Sequence, residues 1–235
     1  IKDEHGKEKT CRIAIAYSLI PKKERQGNSE EWEVVPLERG QVSIYFPATK
    51  EASGLFFHIH APFASTVARD SVRDVPANHR LIERVAQLTA DSLTEVKEQG
   101  LLTVGFLAVL PNLQDGIPRF YEPIRKRIVS AFQTRELLPT RNKSHAAADA
   151  LLRGPSRISD VLDDDDMSFL TDSEPPFWAA NPPQINQRED RFLDSLEIDE
   201  WGWHELGEKF YRPPLFGVHE IEEWFVKKSD SWIAR

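Results

Sequence analysis

Apolar and polar residues alternate in the first quarter of the chain with the period of two that is typical of β-strands. Segments 12–19 and 41–46 place their apolar residues on one parity, which predicts two strands that each bury one face. Short apolar segments at 32–35 and 54–60 predict two further strands, bounded by turn residues. Because short loops join the four segments, an antiparallel meander is the simplest pairing.

The spacing of apolar residues then changes to a helical period. A helix is predicted to open at Pro76–Asn78 and to stop at Gly100, because the apolar residues between them recur on one helical face. Residues 121–132 repeat this pattern and predict a second amphipathic helix. Segment 101–110 is apolar with Gly105 inside it, and is compatible with helix and strand alike.

The last hundred residues predict a mainly helical part. Leu137-Leu138-Pro139 is predicted to be extended, because a proline disfavours the helical region at the residue before it. Prolines cluster between residues 172 and 187, which favours a linker or an ordered crossover. Five helices are predicted around these segments, at residues 145–153, 159–170, 189–196, 199–210 and 218–228.

These patterns predict an α+β protein with an N-terminal antiparallel sheet and packed helices, followed by a mainly helical C-terminal part. We place an α+β domain at residues 11–134 and a mainly helical domain at residues 135–235, with the Pro-rich crossover at 172–187. The 235 residues, 40% of them hydrophobic, suffice for a sizeable core. No apolar run approaches the roughly 20 residues that span a bilayer, so no membrane partner is expected. A single cysteine, Cys11, fits a reducing compartment and predicts a cytoplasmic protein.

Charge is distributed unevenly along the chain. The net charge of −8 argues against a general nucleic-acid footprint. Between Arg119 and Lys143, however, seven basic residues stand against two acidic ones, whereas segment 159–174 has seven acidic residues and no basic one. Neighbouring patches of opposite sign can meet each other or a partner domain. The alternative is that the basic segment 119–143 binds or processes nucleic acid through phosphate contacts.

The candidate metal and catalytic motifs are incomplete. His58 and His60 would share one face of a strand, but a zinc site needs a third and a fourth ligand. At 204–208 and 219–223 a glutamate stands where the zinc-protease pattern H-E-x-x-H requires its second histidine. The acidic run Asp163–Asp166 lacks the glycine of a calcium-binding loop. The sequence also contains no P-loop and no G-x-G-x-x-G turn, so no metal or cofactor is expected in this chain.

The most informative motif is the decapeptide Gly54-Leu-Phe-Phe-His-Ile-His-Ala-Pro-Phe63. Together with Tyr45-Phe-Pro-Ala-Thr49, Arg69-Asp-Ser-Val72 and the helix from Asn78, it resembles the segment that follows the ATP-binding module of sacsin-like proteins. Those proteins belong to the ATPase superfamily of gyrase, heat-shock chaperone, histidine kinase and MutL (GHKL). The resemblance extends over roughly residues 12 to 210 through weaker landmarks in the same order: Gly100-Leu-Leu102, Leu110-Pro-Asn112, Leu138-Pro-Thr140 and 192–203.

The resemblance implies a non-catalytic region that couples nucleotide state to a protein partner or client, in a chaperone-like or bacterial defence protein. ATP and Mg²⁺ would be bound by an upstream ATP-binding domain, since the D-x-G-x-G turn of the superfamily is absent from this chain. The chain begins at Ile1 and ends at Arg235, and both ends are expected to be cuts inside a longer protein.

The resemblance also suggests two functional arginines. In several GHKL proteins the transducer domain sends a cationic side chain to the γ-phosphate, where it stabilises the charge of the transferred group. Arg69 and Arg73 follow the Pro62-Phe63 strand end and are the candidates for this contact. The alternative is that both arginines pair with nearby carboxylates, namely Asp70, Asp74 or Glu83.

Overall fold

The computed structural model describes residues 11–22, 31–171, 177–181, 185–211, 222–224 and 226–228, and these residues confirm the α+β class. Five short strands precede the first long helix: β1 (Ala14–Ala16), β2 (Ser18–Pro21), β3 (Trp32–Val35), β4 (Val42–Ser43) and β5 (His58–His60). Helix α1 (Pro76–Glu98), a 3-10 helix (Gly105–Val109) and helix α2 (Glu122–Thr134) follow.

The predicted meander of these strands is wrong. β5 lies between β1, its antiparallel neighbour, and β4, its parallel neighbour, whereas β2 and β3 form a separate antiparallel pair. β4 covers only two residues because the chain turns back on itself, with the Ala48 amide donating to the carbonyl of Val42 at 2.9 Å. The connection from β4 to β5 therefore returns in the same direction instead of forming a hairpin.

Both long helices form where the apolar spacing predicts them. α1 begins at Pro76, a position where the missing amide hydrogen costs nothing. It ends before Gly100, whose φ of +70° is readily adopted only by glycine. The two helices pack against each other and, with the sheet and the 3-10 helix, enclose the main core. Its largest fully buried side chains include Phe57, Phe106 and Phe132.

The C-terminal part contains more strand than predicted. The predicted helix at 145–153 is wrong: β7 (His145–Ala146) pairs with β6 (Leu138–Pro139), and β8 (Leu151–Arg153) follows a 3-10 turn. β8 lies between two parallel neighbours, β9 (Phe177–Trp178) and β10 (Asp199–Glu200). Strand pairing, local for β7 and with distant partners for β8, thus overrides the helix propensity of an alanine-rich segment.

The remaining predicted helices are present in shorter form. They are α4 (Asp164–Thr171), α5 (Arg188–Leu193) and α6 (Trp203–Tyr211), where β10 replaces the start of the helix predicted at 199–210. A short helix that was not predicted, α3 (Ser156–Ser159), precedes α4. Residues 222–224 and 226–228 are helical, as predicted, and the rest of the segment 218–228 lies outside the described residues. The Pro-rich crossover contains β9, with 172–176 and 182–184 outside the described residues.

Buried apolar side chains form two clusters. The main core continues beyond α2 and includes Leu138, Leu151 and Phe192, so it draws on residues from both sides of the expected boundary at 134/135. A smaller cluster lies around Trp178 and Trp201 in the C-terminal part. Arg153 lies at the end of β8, and its guanidinium bonds Asp190 at 2.8 Å and Asp194 at 2.7 Å in and after α5.

Candidate functional site

Residues 64–73, between β5 and α1, form a short hairpin that carries both candidate arginines; we call it the Arg69 hairpin. Ser65 pairs with Val72, and the Thr66 amide donates to the Ser71 carbonyl at 3.0 Å. Arg69 occupies the tip with a φ of +60°. This left-handed conformation is uncommon for a residue other than glycine. The hairpin therefore holds the backbone of Arg69 in a conformation that an unstructured loop would rarely adopt.

A buried asparagine closes the base of the Arg69 hairpin. Asn78, in the first turn of α1, is fully buried. Its side-chain oxygen accepts the amide hydrogen of Ala64 at 2.8 Å, and its nitrogen donates to the carbonyls of Ala64 at 2.9 Å and Arg73 at 2.8 Å. Both ends of the hairpin are thereby fixed to α1.

The tip is held from the other side by Lys50. The Lys50 amide donates to the Asp70 carbonyl at 2.9 Å, and its ammonium lies 2.7 Å from the Asp70 carboxylate. The other carboxylate oxygen accepts the hydroxyls of Thr66 at 3.0 Å and Ser71 at 3.2 Å. These bonds, the one from Lys50 first, lower the pKa of Asp70, and the bond to Asp70 raises the pKa of Lys50. The Asp70 carboxylate therefore stabilises the hairpin tip and is not available to pair with Arg69 through these oxygens.

Glu51 joins the hairpin to the second helix. One carboxylate oxygen accepts the Val72 amide at 2.7 Å, and the other accepts the hydroxyl of Tyr121 at 2.9 Å. Tyr121 is fully buried at the start of α2. Burial, and then the neighbouring charge of Glu51, raises the pKa of Tyr121 far above its ordinary value. The phenol therefore stays protonated and can donate to Glu51.

The two candidate arginines are exposed at this braced hairpin. Neither forms an ion pair with any residue that the structure describes, so the pairing with Asp70, Asp74 or Glu83 is not observed there. Lys50 pairs with Asp70, and His79 lies 2.6 Å from Asp74. The guanidinium carbon of Arg69 lies 5.7 Å from the centre of the Phe46 ring, within the range of a cation–π contact.

Exposed apolar side chains accompany Arg69. Val67, two residues before it in the hairpin, is fully exposed, and Tyr45, the neighbour of Phe46, is 79% exposed. The Tyr45 ring lies edge-on to His60 with 6.0 Å between ring centres. Arginine and aromatic residues are enriched in protein interfaces and among the residues that dominate binding energy. This surface can bury apolar area against a partner and donate hydrogen bonds to an anionic group.

The histidine pair on β5 has other partners. Nδ1 of His58 accepts the amide hydrogen of Gln41 at 2.9 Å, and His60 packs against Tyr45. In the described part of the chain, no three or more His, Cys, Asp and Glu side chains are grouped so as to hold a metal ion. Both histidines lie on β5, as predicted, and each contacts a residue near β4: Gln41 or Tyr45.

The basic segment 119–143 is partly neutralised. Arg141 lies 2.8 Å from Asp160, so the basic and acidic segments meet at this contact. Four basic residues of the segment form no ion pair with a described residue. The ion pairs within the described ranges join Arg125 to Glu122 at 2.7 Å, Arg135 to Asp91 at 3.3 Å, and Arg141 to Asp160.

The residues that build the site were not found from the sequence, except for the arginines. In the sequence, Asn78 indicates only a helix start, and Glu51 lies between the strands predicted at 41–46 and 54–60. Arg188 was also missed: its guanidinium lies 3.5 Å from the Phe56 ring centre and bonds Asp115 and the Ala108 and Leu110 carbonyls. Long sequence separation explains these misses. A local signal was available only for Asn78. Val75, the residue before α1, cannot cap the helix with its side chain, so the polar Asn78 in the first turn is a candidate to bond nearby backbone.

Comparison with known proteins adds no family to this description. A scan against models of protein families finds no match, and neither the curated proteins nor the solved structures contain a significant match. None of the helices in the described ranges has the length and apolar character needed to cross a membrane. The residues of this chain are therefore the basis for a functional proposal.

Proposed function

We propose that this chain is the non-catalytic coupling region of a sacsin-like, GHKL-type ATP-binding protein. In this role it transmits the nucleotide state of an upstream ATP-binding domain to a protein partner or client, in a chaperone-like cytoplasmic protein. ATP and Mg²⁺ belong to that upstream domain. Arg69, with Arg73 as the second candidate, supplies a cation towards the γ-phosphate. The resemblance of segment 54–63 and its neighbours to sacsin-like proteins motivates this assignment.

The observation that supports the proposal best is the exposed Arg69, which forms no ion pair with a described residue, on a hairpin fixed at three points. Asn78 holds the base, Lys50 the tip and Glu51 the returning strand. These contacts fix the backbone from which the Arg69 side chain extends, and a preorganised cation stabilises developing charge at a low reorganisation cost. Its planar guanidinium also matches phosphate oxygens in a two-point hydrogen bond.

The proposed role of Arg69 predicts different effects on nucleotide binding and on ATP hydrolysis. Negative charge on the transferred phosphoryl group is spread over its oxygens in the transition state. A cation directed at these oxygens contributes more in the transition state than in the ground state, so its removal lowers kcat more than nucleotide affinity.

ATP hydrolysis by the natural full-length protein tests this proposal. Arg69→Ala is expected to leave nucleotide affinity within about twofold and to lower kcat by about 100-fold, the loss seen when one such donor is removed. Arg127→Ala, at an exposed arginine of α2 away from the hairpin, is the matched control and should hydrolyse ATP normally.

Two results would overturn the proposal. Unchanged turnover in both Arg69→Ala and Arg73→Ala would remove the cationic role of the hairpin. A full-length sequence without the asparagine helix and D-x-G-x-G turn of the superfamily would remove the family assignment itself.

A further inference from the structure

Helix α2 contacts the base of the Arg69 hairpin at its N-terminal end. The Tyr121 hydroxyl donates to Glu51, whose other carboxylate oxygen accepts the Val72 amide of the hairpin. Phe120 adds edge-on ring contacts to Phe63 at 6.0 Å, just before the hairpin, and to His79 at 5.3 Å, in the first turn of α1. Any displacement of the hairpin base therefore reaches the first residues of α2.

The C-terminal end of α2 contacts the segment around α5. The Gln133 side chain donates to the Glu197 carbonyl at 3.1 Å and accepts the Glu197 amide hydrogen at 3.2 Å. Next to Gln133, Phe132 packs edge-on against Phe192 of α5, with 5.0 Å between the ring centres. The same helix thus holds the hairpin at one end and the C-terminal part at the other.

The helix between these ends is continuous and packed along one face. Its 13 residues span about 20 Å at 1.5 Å per residue. Ile124, Ile128 and Phe132 are fully buried along one face, and close-packed interiors transmit a displacement instead of absorbing it.

Glu51 is the point at which the hairpin acts on α2. Its two oxygens serve one donor each, and the buried Tyr121 hydroxyl has no bulk water to replace Glu51. A buried donor that loses its partner costs the full desolvation of that group. A shift of Val72 that pulls the carboxylate away from Tyr121 therefore costs free energy at α2.

We propose that α2 couples the Arg69 hairpin to the segment around Glu197, with the Glu51–Tyr121 bond as the input and the Gln133–Glu197 contact as the output. Its use in transmitting nucleotide state rests on the proposed function. The coupling itself is a property of this chain. Coupling between two sites is reciprocal, so loosening either end must loosen the other.

Amide hydrogen exchange of the chain tests this in both directions. Glu51→Gln should speed exchange of the distant Glu197 amide by about fivefold, and Gln133→Ala should do the same for the Val72 amide. Exchange of the Leu93 amide, in the fully buried middle of α1, reports global unfolding and is used as the reference. Glu31→Gln, which removes an exposed ion pair with Lys22 that involves no residue of α2, is the control and should change neither distant amide.

A second variant and a second measurement keep the test decisive. Tyr121→Phe removes the same bond from the α2 side and should repeat the effect of Glu51→Gln on the Glu197 amide. The double variant Glu51→Gln/Gln133→Ala should depart from additivity by more than about twofold in the unfolding constant, the limit for independent distant sites.

Purely local changes would overturn the coupling. If Glu51→Gln and Tyr121→Phe affect only the hairpin and the start of α2, and the double variant is additive, α2 is not the route. That result would leave the proposed ATPase role of Arg69 to its own kinetic test.

Discussion

The side-chain amide of Asn78 bonds both the amide hydrogen and the carbonyl oxygen of Ala64, at 2.8 and 2.9 Å. A strand neighbour would satisfy these two backbone groups in the same way. The third bond, to the Arg73 carbonyl at 2.8 Å, fixes the other end of the hairpin with the same side chain. The direction in which Arg69 is presented therefore depends on one buried residue of α1.

Asn78→Ala should destabilise the protein and release the hairpin. The substitution removes three hydrogen bonds made by a fully buried side chain, and we expect the free energy of unfolding to fall by about 2–3 kcal/mol. Urea denaturation measures this change. Thr134→Ala, which removes an exposed hydroxyl bond to the Ser130 carbonyl, should cost under about 0.5 kcal/mol. Equal losses in the two variants would contradict the role assigned to Asn78.

The hairpin tip should loosen in acid. Hydrogen bonds from Lys50 and Thr66 hold the pKa of Asp70 below its ordinary value of 3.8. A carboxyl group whose pKa is lower in the folded state stabilises that state above its unfolded pKa, and this contribution is lost as the pH falls through the folded pKa. We therefore expect the Thr66 and Ser71 amide signals in NMR spectra to change only as the pH falls below 3.8.

Asp70→Asn serves as the control for this titration. The amide cannot titrate, so the Thr66 and Ser71 signals should no longer follow the acid transition. A transition in the parent chain with a midpoint above 3.8 would contradict the bonding described for Asp70. Lys50 titrates at the alkaline end, because its pKa is raised above 10.5 in the folded state. Its ammonium therefore stabilises the folded hairpin at lower pH, and this stabilisation is lost as the pH rises through the raised pKa.

Local sequence signals predicted the elements whose residues are neighbours along the chain. The apolar faces of α1 and α2 were predictable because residues three and four apart share a helix face. The strand at 151–153 was missed because its partners lie far away in the sequence, Leu152 pairing with Trp178 and Asp199. The strand at 145–146 pairs with the nearby Leu138–Pro139, in a segment whose alanines favour a helix. Tertiary pairing there overrode local propensity.

The candidate site was predictable only in part for the same reason. The resemblance drew attention to Arg69 and Arg73, but the residues that hold their hairpin contact it over long sequence separations. Asn78 bonds a residue 14 positions away, and Glu51 bonds Tyr121 across 70 positions. Neither bond produces a periodic pattern in the sequence, so the contacts that hold the Arg69 hairpin could be seen only in the structure.

Arg188→Lys should be as harmful as a core substitution. Arg188 uses its planar guanidinium at several points at once: it bonds Asp115 at 2.7 Å and the Ala108 and Leu110 carbonyls at 2.6 and 2.9 Å. It also stacks on Phe56. A lysine keeps the charge but cannot reproduce this fork or the stacking. We expect a loss of about 2–3 kcal/mol in the free energy of unfolding, measured in urea.

Arg127→Lys is the matched control for this substitution, because Arg127 is exposed and forms no ion pair with a described residue. It should change stability by under about 0.5 kcal/mol. A similarly small effect at Arg188 would show that its several bonds are not needed to hold α5 against the 3-10 helix.

Segment 119–143 should not bind nucleic acid. Four of its seven basic residues lack an ion pair within the described ranges, which include the whole segment: Arg119, Lys126, Arg127 and Lys143. Four phosphate contacts would give log K a slope of about −3.6 against log salt on duplex DNA, in a chain whose net charge of −8 opposes binding.

The coupling proposal therefore predicts no binding of duplex or single-stranded nucleic acid at about 50 mM salt, measured by fluorescence anisotropy. Binding with a slope near −3.6 that is reduced by about 2 in Lys126→Ala/Arg127→Ala would favour the alternative function. Arg69→Ala distinguishes the two surfaces, because it lies on the hairpin and should leave that slope unchanged. A slope much steeper than −4 would require Arg125, Arg135 and Arg141 to leave their present ion pairs, since the four unpaired cations alone cannot displace so many counterions.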